Sequence, residues 1–201
     1  MLKELCKKYG AHKGEDKLSR YYIEAYETYF GPRREEKLRL LEIGVQSGGS
    51  LRMWKEYFPN AEIVGVDINK NCLKHEDLDI IIGDQTGEKF LSGLGEFDII
   101  IDDGSHKMFD QQFTFKAMWN KLRANGIYVI EDLETSYWPQ FGGGYKRDKT
   151  TINYLHSLIN RLNYLAINHQ RAGKYRRTIG GIRMKSISFY PSICFIQKEL
   201  I

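Results

Sequence analysis

Five strand-length apolar runs, spaced by stretches with helical character, limit this chain to very few folds. LRLLEIG (38–44), EIVGVDI (62–68), LDIIIGD (78–84), FDIIIDD (97–103) and GIYVIED (126–132) are apolar almost without a break. Strands that alternate apolar and polar residues keep one wet face, whereas unbroken runs indicate burial on both faces by crossover helices. Of the connecting segments, SLRMWKEYF sets Leu51, Trp54 and Phe58 on one helix face. MFDQQFTFKAMWNKLRANG offers Phe109, Phe113 and Leu122 before a stop at Asn125-Gly126. The pattern predicts a doubly wound α/β sheet, mostly parallel.

Two flanking segments extend this core. LSRYYIEAYETYF predicts a helix ahead of the first strand, and ISFYPSICFIQKE (187–199) reads as two strands turning at Pro191-Ser192. That antiparallel hairpin closes one sheet edge and brings the expected total to seven strands. Chain length of 201 residues favours a single domain over two small ones. Within it we expect an N-terminal helical or lid segment (1–36) and an α/β core (37–201). Residues 133–150, LETSYWPQFGGGYKRDKT, combine aromatics, proline and three glycines and read as a long mobile loop, a common seat of function.

Composition excludes several classes. Hydrophobic content of 42% is globular, and no apolar run approaches the roughly 20 residues of a membrane-spanning helix. The charged start, MLKELCKKYGAHKGEDK, lacks the apolar centre of a secretion signal, so a cytoplasmic protein is expected. Cys6, Cys72 and Cys194 form no C-x-x-C pair and are expected to be thiols. The net charge of +4 comes partly from KRDK (146–149) and RAGKYRRTIGGIRMK (171–185), clusters that usually mean a solvated surface. An anionic partner such as RNA is the less favoured reading, and a homo-oligomer is left open.

In open α/β sheets ligands bind beyond the carboxyl ends of the strands. Here the first run ends in Glu42-Ile43-Gly44-Val45-Gln46-Ser47-Gly48-Gly49-Ser50, the second in Asp67 and the third in Asp84. Glycines let the backbone turn and approach a ligand, and a carboxylate one βαβ unit on can accept from both ribose hydroxyls. Glu42 beside the loop would serve a pyrophosphate poorly and a cationic amino-acid group well. Gln46 breaks the G-x-G-x-x-G spacing and a Walker lysine motif is absent. These details favour S-adenosylmethionine over NAD, although Gly44 and Gly48 also suit strand–helix packing and Asp67 or Asp84 a helix cap.

The fourth and fifth runs end in DDGSH (102–106) and Glu131-Asp132. An isolated DGSH is compatible with a turn, but a second acidic pair at a neighbouring strand end makes a shared ligand the better explanation, because paired acids after an apolar strand are costly unless wet or liganded. With the glycine loop and IED-x-x-x-x-YWPxFGG, these motifs resemble the class I S-adenosylmethionine-dependent methyltransferases of Rossmann-like fold. Within that class they resemble the macrocin and mycinamicin type of sugar O-methyltransferase, over roughly residues 9–199. One departure lies near the start, where relatives tend to read Gly-Thr-Asp-Lys-Gly and this chain reads Gly10-Ala11-His12-Lys13-Gly14.

The resemblance implies metal-assisted methyl transfer to a sugar hydroxyl of a glycosylated natural product or polysaccharide. Asp103, Glu131 and Asp132 would bind magnesium or a similar divalent cation, and His106 would be the general base. Glu42, Gly44, Ser50, Asp67, Asp84 and Asp102 would line the cofactor. Tyr137, Trp138 and Phe141 are candidates for stacking on the acceptor or closing over it. The competing readings are an RNA methyltransferase, disfavoured because DDGSH replaces the N/D-P-P-Y pattern of amino-group methyltransferases, and a cofactor-binding protein without catalysis.

Overall fold

The structure, a computed structural model, describes residues 1–11, 13, 20–162 and 182–200. Two helices, α1 (Leu2–Tyr9) and α2 (Arg20–Phe30), precede the sheet. Then follow β1 (Arg39–Ile43), α3 (Gly49–Tyr57), β2 (Glu62–Asp67), β3 (Asp79–Ile82), α4 (Glu88–Gly93) and β4 (Phe97–Asp102). The chain continues through α5 (Met108–Met118), β5 (Leu122–Ile130), α6 (Thr151–Leu162), β6 (Met184–Tyr190) and β7 (Ile193–Lys198). The strands form one seven-stranded sheet in the order β3-β2-β1-β4-β5-β7-β6. The first five run parallel, and β7 pairs antiparallel with both β5 and β6. The chain reverses its direction of winding between β1 and β4, the place where a ligand crevice forms in such sheets.

Side-chain alternation explains the unbroken apolar runs. Leu40, Ile99, Ile101, Ile127 and Val129 enter one core layer, with α1, α2 and α3. Leu41, Ile43, Ile100, Tyr128 and Ile130 enter the opposite layer, with α5 and α6. Each fully buried side chain of this size contributes about 1.5–3 kcal/mol, so neither face can be left uncovered. In α3 the expected stripe is realised, with Leu51, Trp54 and Phe58 all buried. Helix α2 lays Tyr26 and Phe30 against Trp54 and Phe195, with ring centroids 5.0–6.2 Å apart.

Three expectations need correction. The segment after DDGSH does not stay helical to Asn125: α5 ends at Met118, and Leu122 already belongs to β5. Its buried face carries Met108, Gln111, Phe115 and Met118, spaced i, i+3, i+7, i+10, whereas Phe109 is 69% exposed and stacks on Phe113. Asn125 takes φ 59 inside β5, where the pairing with β4 shifts register between Phe97 and Ile99, so Asn125-Gly126 marks a bulge and not a helix stop. The segment expected as a long mobile loop holds two short 3-10 turns, Leu133–Tyr137 and Pro139–Phe141, with Leu133, Thr135 and Ser136 buried.

The three cysteines are buried and form no disulfide. Among the described residues no helix is long and apolar enough to cross a membrane. Most of the basic cluster at 171–185 lies outside the described residues.

Candidate functional site

A cavity of about 920 Å³ opens over the carboxyl ends of β1 to β5. Gly44, Ser50, Asp67, Asp84, Asp103, His106, Glu131 and Asp132 all line it, so eight of the positions singled out in the sequence share one space. The turn after β1 depends on Gly44, which has φ 97 and whose missing Cβ would lie 2.0 Å from the Asp103 carbonyl oxygen. Only glycine lets the chain leaving β1 pass this close to the Asp103 backbone.

On the β2–β3 side, the Asp67 carboxylate clamps the glycine loop. Its Oδ2 accepts from the backbone N–H groups of Val45 (2.9 Å) and Gln46 (3.1 Å), and its Oδ1 from that of Asn69 (2.8 Å). Burial works against the charge, but these donors hold Asp67 below its ordinary range. Asp84 is likewise held low by the Thr86 N–H and hydroxyl. Each carboxylate retains lone pairs for a ligand, since an ionised carboxylate has about four acceptor sites.

Glu42 and Asp102 are set apart, for neither lines the cavity. Glu42 is wholly buried behind it, accepting from Ser50 Oγ at 2.6 Å and Trp54 Nε1 at 3.3 Å. Asp102 is also wholly buried, 3.3 Å from Gln85 Nε2 through Oδ1, while its Oδ2 has no hydrogen-bond partner. Burial pushes Asp102 up to about 7.

The acids of β1, β4 and β5 converge on a lysine from the N-terminal segment. Lys13 Nζ lies 3.1 Å from Glu42 Oε1, 2.8 Å from Asp103 Oδ2 and 2.5 Å from Glu131 Oε1, and the residue is 4% exposed. Burial draws the ammonium down, yet Asp103, Glu131 and Glu42 more than reverse this and hold it well above its usual range. Glu131 itself is raised, by burial and then by the Asp103 charge. Three carboxylates thus face one ammonium.

Helix α2 adds two phenols one turn apart. Tyr26 donates to Glu131 Oε1, and the Tyr22 hydroxyl lies 2.9 Å from Asp132 Oδ1 while accepting from the Asp132 N–H at 3.0 Å. Asp132 is raised by burial and by Asp103, with His106 opposing. His106 Nε2 stands 3.5 Å from Asp132 Oδ2, and its Nδ1 is buried without a partner. Both residues adopt left-handed backbone, with φ 57 at His106 and φ 55 at Asp132. Such conformations cost about 1–3 kcal/mol each and persist where the surroundings enforce them, commonly at functional sites.

Two ligand clusters result. Atoms of Asp103, His106 and Asp132 lie within 4.8 Å of one another, as do those of Glu42, Asp103 and Glu131. The expected trio of Asp103, Glu131 and Asp132 is therefore divided between two clusters that share Asp103. Of the aromatic candidates, Phe141 packs edge-on to His106 with centroids 6.2 Å apart, and Trp138 lies 6.0 Å from Phe141. Tyr137 is 48% exposed, and none of the three lines the cavity itself.

Comparison with known proteins gives this arrangement a lineage. An 8-demethyl-8-alpha-L-rhamnosyl tetracenomycin-C 2'-O-methyltransferase of Streptomyces olivaceus is 37% identical over 195 residues, covering 89% of this chain and 50% of that protein. A demethylmacrocin O-methyltransferase of Streptomyces fradiae is 35% identical, over 89% of this chain and 48% of that one. The solved MycE methyltransferase of the mycinamycin biosynthetic pathway, in complex with Mg and SAH, superposes with a TM-score of 0.84 at 33% identity. That match covers 99% of this chain and 54% of MycE. The chain belongs to the class I S-adenosylmethionine-dependent methyltransferases. It spans about half the length of the curated relatives it matches, and no protein-family model matches it.

For a class I methyltransferase the sheet-end acids were legible, but Lys13 and Tyr26 were not assigned from sequence. The only signals were the Lys of GAHKG and the spacing of Tyr22 and Tyr26, which puts two phenols on one helix face. Gln85 was also missed; it accepts from the Ser105 N–H at 2.8 Å and so ties the DGSH loop to the end of β3.

Proposed function

We propose that this chain carries the catalytic domain of a metal-assisted sugar O-methyltransferase, moving a methyl group from S-adenosylmethionine to a hydroxyl of a glycosylated small molecule. The observation that carries the reading is the shared cavity. Asp67, Asp84 and the glycine loop border one part of it, and Asp103, His106 and Asp132 another. Relatives named for O-methylation of rhamnosyl and macrolide substrates, and MycE solved with Mg, SAH and Mycinamycin VI, support the same reading.

The residues present fit a divalent cation. Asp103 and Asp132 present close carboxylate oxygens, and Asp132 is raised by burial and then by its repulsion from Asp103, which a cation would relieve. Oxygen-rich donor sets suit magnesium. Asp103 and Asp132 would hold the ion, with Glu131 adjoining through Asp103. Once bound, it would supply Lewis-acid polarisation of the acceptor hydroxyl.

The chain's own groups do the rest. A sugar hydroxyl is a weak acid, so its proton needs a base within hydrogen-bond reach, and imidazole ordinarily titrates near neutral pH. His106 takes that proton as the oxygen attacks the sulfonium methyl and the S–C bond breaks to release S-adenosylhomocysteine, while Asp132 beside Nε2 orients the ring. Phe141 packs against His106 from outside the lining of the cavity, with Trp138 behind it, and the pair holds the imidazole from that side.

The test is transfer from labelled S-adenosylmethionine to a panel of rhamnosides and macrolide glycosides, with magnesium or with EDTA. His106→Ala and Asp103→Asn are run in parallel. Transfer should need the cation and fall about 10²–10⁴-fold without the histidine, the usual worth of a positioned base. Transfer indifferent to both would overturn the reading.

A further inference from the structure

Through Gln85 the end of β3 reaches the end of β4, although β2 and β1 stand between those strands in the sheet. Gln85 follows Asp84, lines the cavity and is 8% exposed. Its amide is fully engaged. Oε1 accepts from the Ser105 N–H at 2.8 Å, and Nε2 donates to Thr114 Oγ1 at 3.1 Å and Asp102 Oδ1 at 3.3 Å. The opposite orientation of the amide would set its oxygen against the Asp102 carboxylate and its NH2 against the Ser105 N–H, so the network admits only one. Gly104 gives the amide its room, because a Cβ there would lie 2.2 Å from Gln85 Oε1.

The glutamine thus holds the residue that precedes His106. Ser105 is fixed at its N–H by Gln85 and at its hydroxyl by Asp110 Oδ2, 2.6 Å away, and the same hydroxyl accepts from the Lys107 N–H at 3.3 Å. His106, between Ser105 and Lys107, has φ 57, a conformation that persists only while its surroundings enforce it. Asp110 and Lys107 belong to the same stretch of chain as His106, whereas Gln85 ties that stretch to the part of the cavity bordered by Asp84.

We infer that Gln85 is a positioning residue for the methyl transfer: it fastens the backbone that carries His106 to the strand end that carries Asp84, so that a cofactor seated beside Asp84 and the base keep one relative placement. The inference rests on the proposed function for the roles of His106 and Asp84. It adds a residue that acts through Ser105 and not on the reacting atoms.

Two variants break the Ser105 contact in different ways. Gln85→Met keeps the length and loses the amide, and Gln85→Asn keeps the amide but is one methylene short. Exchange of the Ser105 amide proton is followed by nuclear magnetic resonance with and without S-adenosylhomocysteine, and affinity for S-adenosylhomocysteine by calorimetry. The constants kcat and KM are taken with a rhamnoside or macrolide glycoside that the wild type methylates. In the wild type, S-adenosylhomocysteine should slow exchange at Ser105. In the variants Ser105 should exchange about 3- to 10-fold faster, the effect of losing one hydrogen bond, and should no longer respond to that ligand. Affinity for S-adenosylhomocysteine and KM for S-adenosylmethionine should stay within about threefold of the wild type, while kcat falls about 10–100-fold, since a displacement near 1 Å can cost that much. A purely structural role would lower the melting temperature and leave kcat per folded molecule, and the response of Ser105 to ligand, as in the wild type.

Wild-type kcat in a folded variant would overturn the inference, as would a Ser105 amide that ignores S-adenosylhomocysteine in the wild type or answers to it equally in the variants. Should Gln85→Met fail to fold, Gln85→Asn decides; failure of both would make Gln85 a residue of the fold and refute a positioning role. If the wild type methylates no glycoside, the proposed function fails, and the exchange measurement alone decides whether Gln85 joins ligand binding to the loop.

Discussion

Replacing Asp102 by asparagine should make the protein more stable at pH 8, although the change falls next to Asp103, just behind the cavity. Asp102 is wholly buried, has one carboxylate oxygen without a partner, and is pushed up to about 7 from an ordinary 3.8, chiefly by burial. An acid whose folded pKa is raised binds its proton more tightly in the native state. Its contribution is therefore neutral below pH 4, falls as pH rises from about 4 to about 7, and stays low above that. Some 3 pH units at 1.36 kcal/mol each put the loss at about 4 kcal/mol, a large share of the 5–15 kcal/mol that holds a domain together. Asparagine keeps the shape and an acceptor for Gln85 but cannot ionise. Urea unfolding of both proteins at intervals from pH 4 to pH 8, in EDTA, gives the stability difference directly. Asp102→Asn should gain on the wild type across that window and level off near pH 8. Parallel curves would show that Asp102 ionises freely in the folded protein, and the argument from burial would fail.

Two further perturbations probe the surroundings of the acids. Tyr26→Phe keeps the ring against Trp54 and Phe195 but removes the hydroxyl bound to Glu131. It should cost about 1.5–3 kcal/mol, the worth of a hydrogen bond to a charged group, and lower the melting temperature by roughly 3–12 °C; melting within 1 °C of the wild type would refute this. Gly44→Ala would set a Cβ 2.0 Å from the Asp103 carbonyl at φ 97. It should destabilise by about 2 kcal/mol or more in urea unfolding, and an unchanged midpoint would mean the turn has room that the structure denies it.

The strands were legible because a parallel sheet covered on both faces leaves a mark that needs no long-range information. Every residue from Ile99 to Ile101 is apolar since each faces one layer or the other. Helix α5 misled for the opposite reason. Its buried face includes Gln111 and Thr114, made tolerable by hydrogen bonds from Gln111 Nε2 to the Glu131 carbonyl at 3.1 Å and from Thr114 Oγ1 to the Asp110 carbonyl at 2.8 Å. Polar residues on a buried face look like surface in a periodicity, while Phe109, which is exposed and stacks on Phe113, looks like core. The strand-end acids could be read as one site from position alone, but their division into two clusters could not. That division depends on Lys13 meeting groups 90 and 118 residues away, pairings that no local pattern encodes.

The N-terminal segment and the acidic site are parts of one electrostatic arrangement. Parallel strands that end at one edge bring like side chains together, and here β1, β4 and β5 bring acids. The ammonium that meets all three comes from outside the sheet. Lys13 and the phenols of α2 provide the charge and the donors, and α2 is fixed by burial of Ala25, Tyr26 and Phe30 in the core layer that also holds Trp54 and Phe195. Apolar packing of this face of α2 thus sets where its two hydroxyls meet the acids. Linkage runs both ways: neutralising the acids relaxes the demand on Lys13, and loosening the segment exposes the acids to each other. A divalent ion held by Asp103 would neutralise charge that otherwise presses on Glu131 and Asp132. Cation binding and docking of Lys13 should therefore oppose each other through Asp103, the one residue that both clusters share.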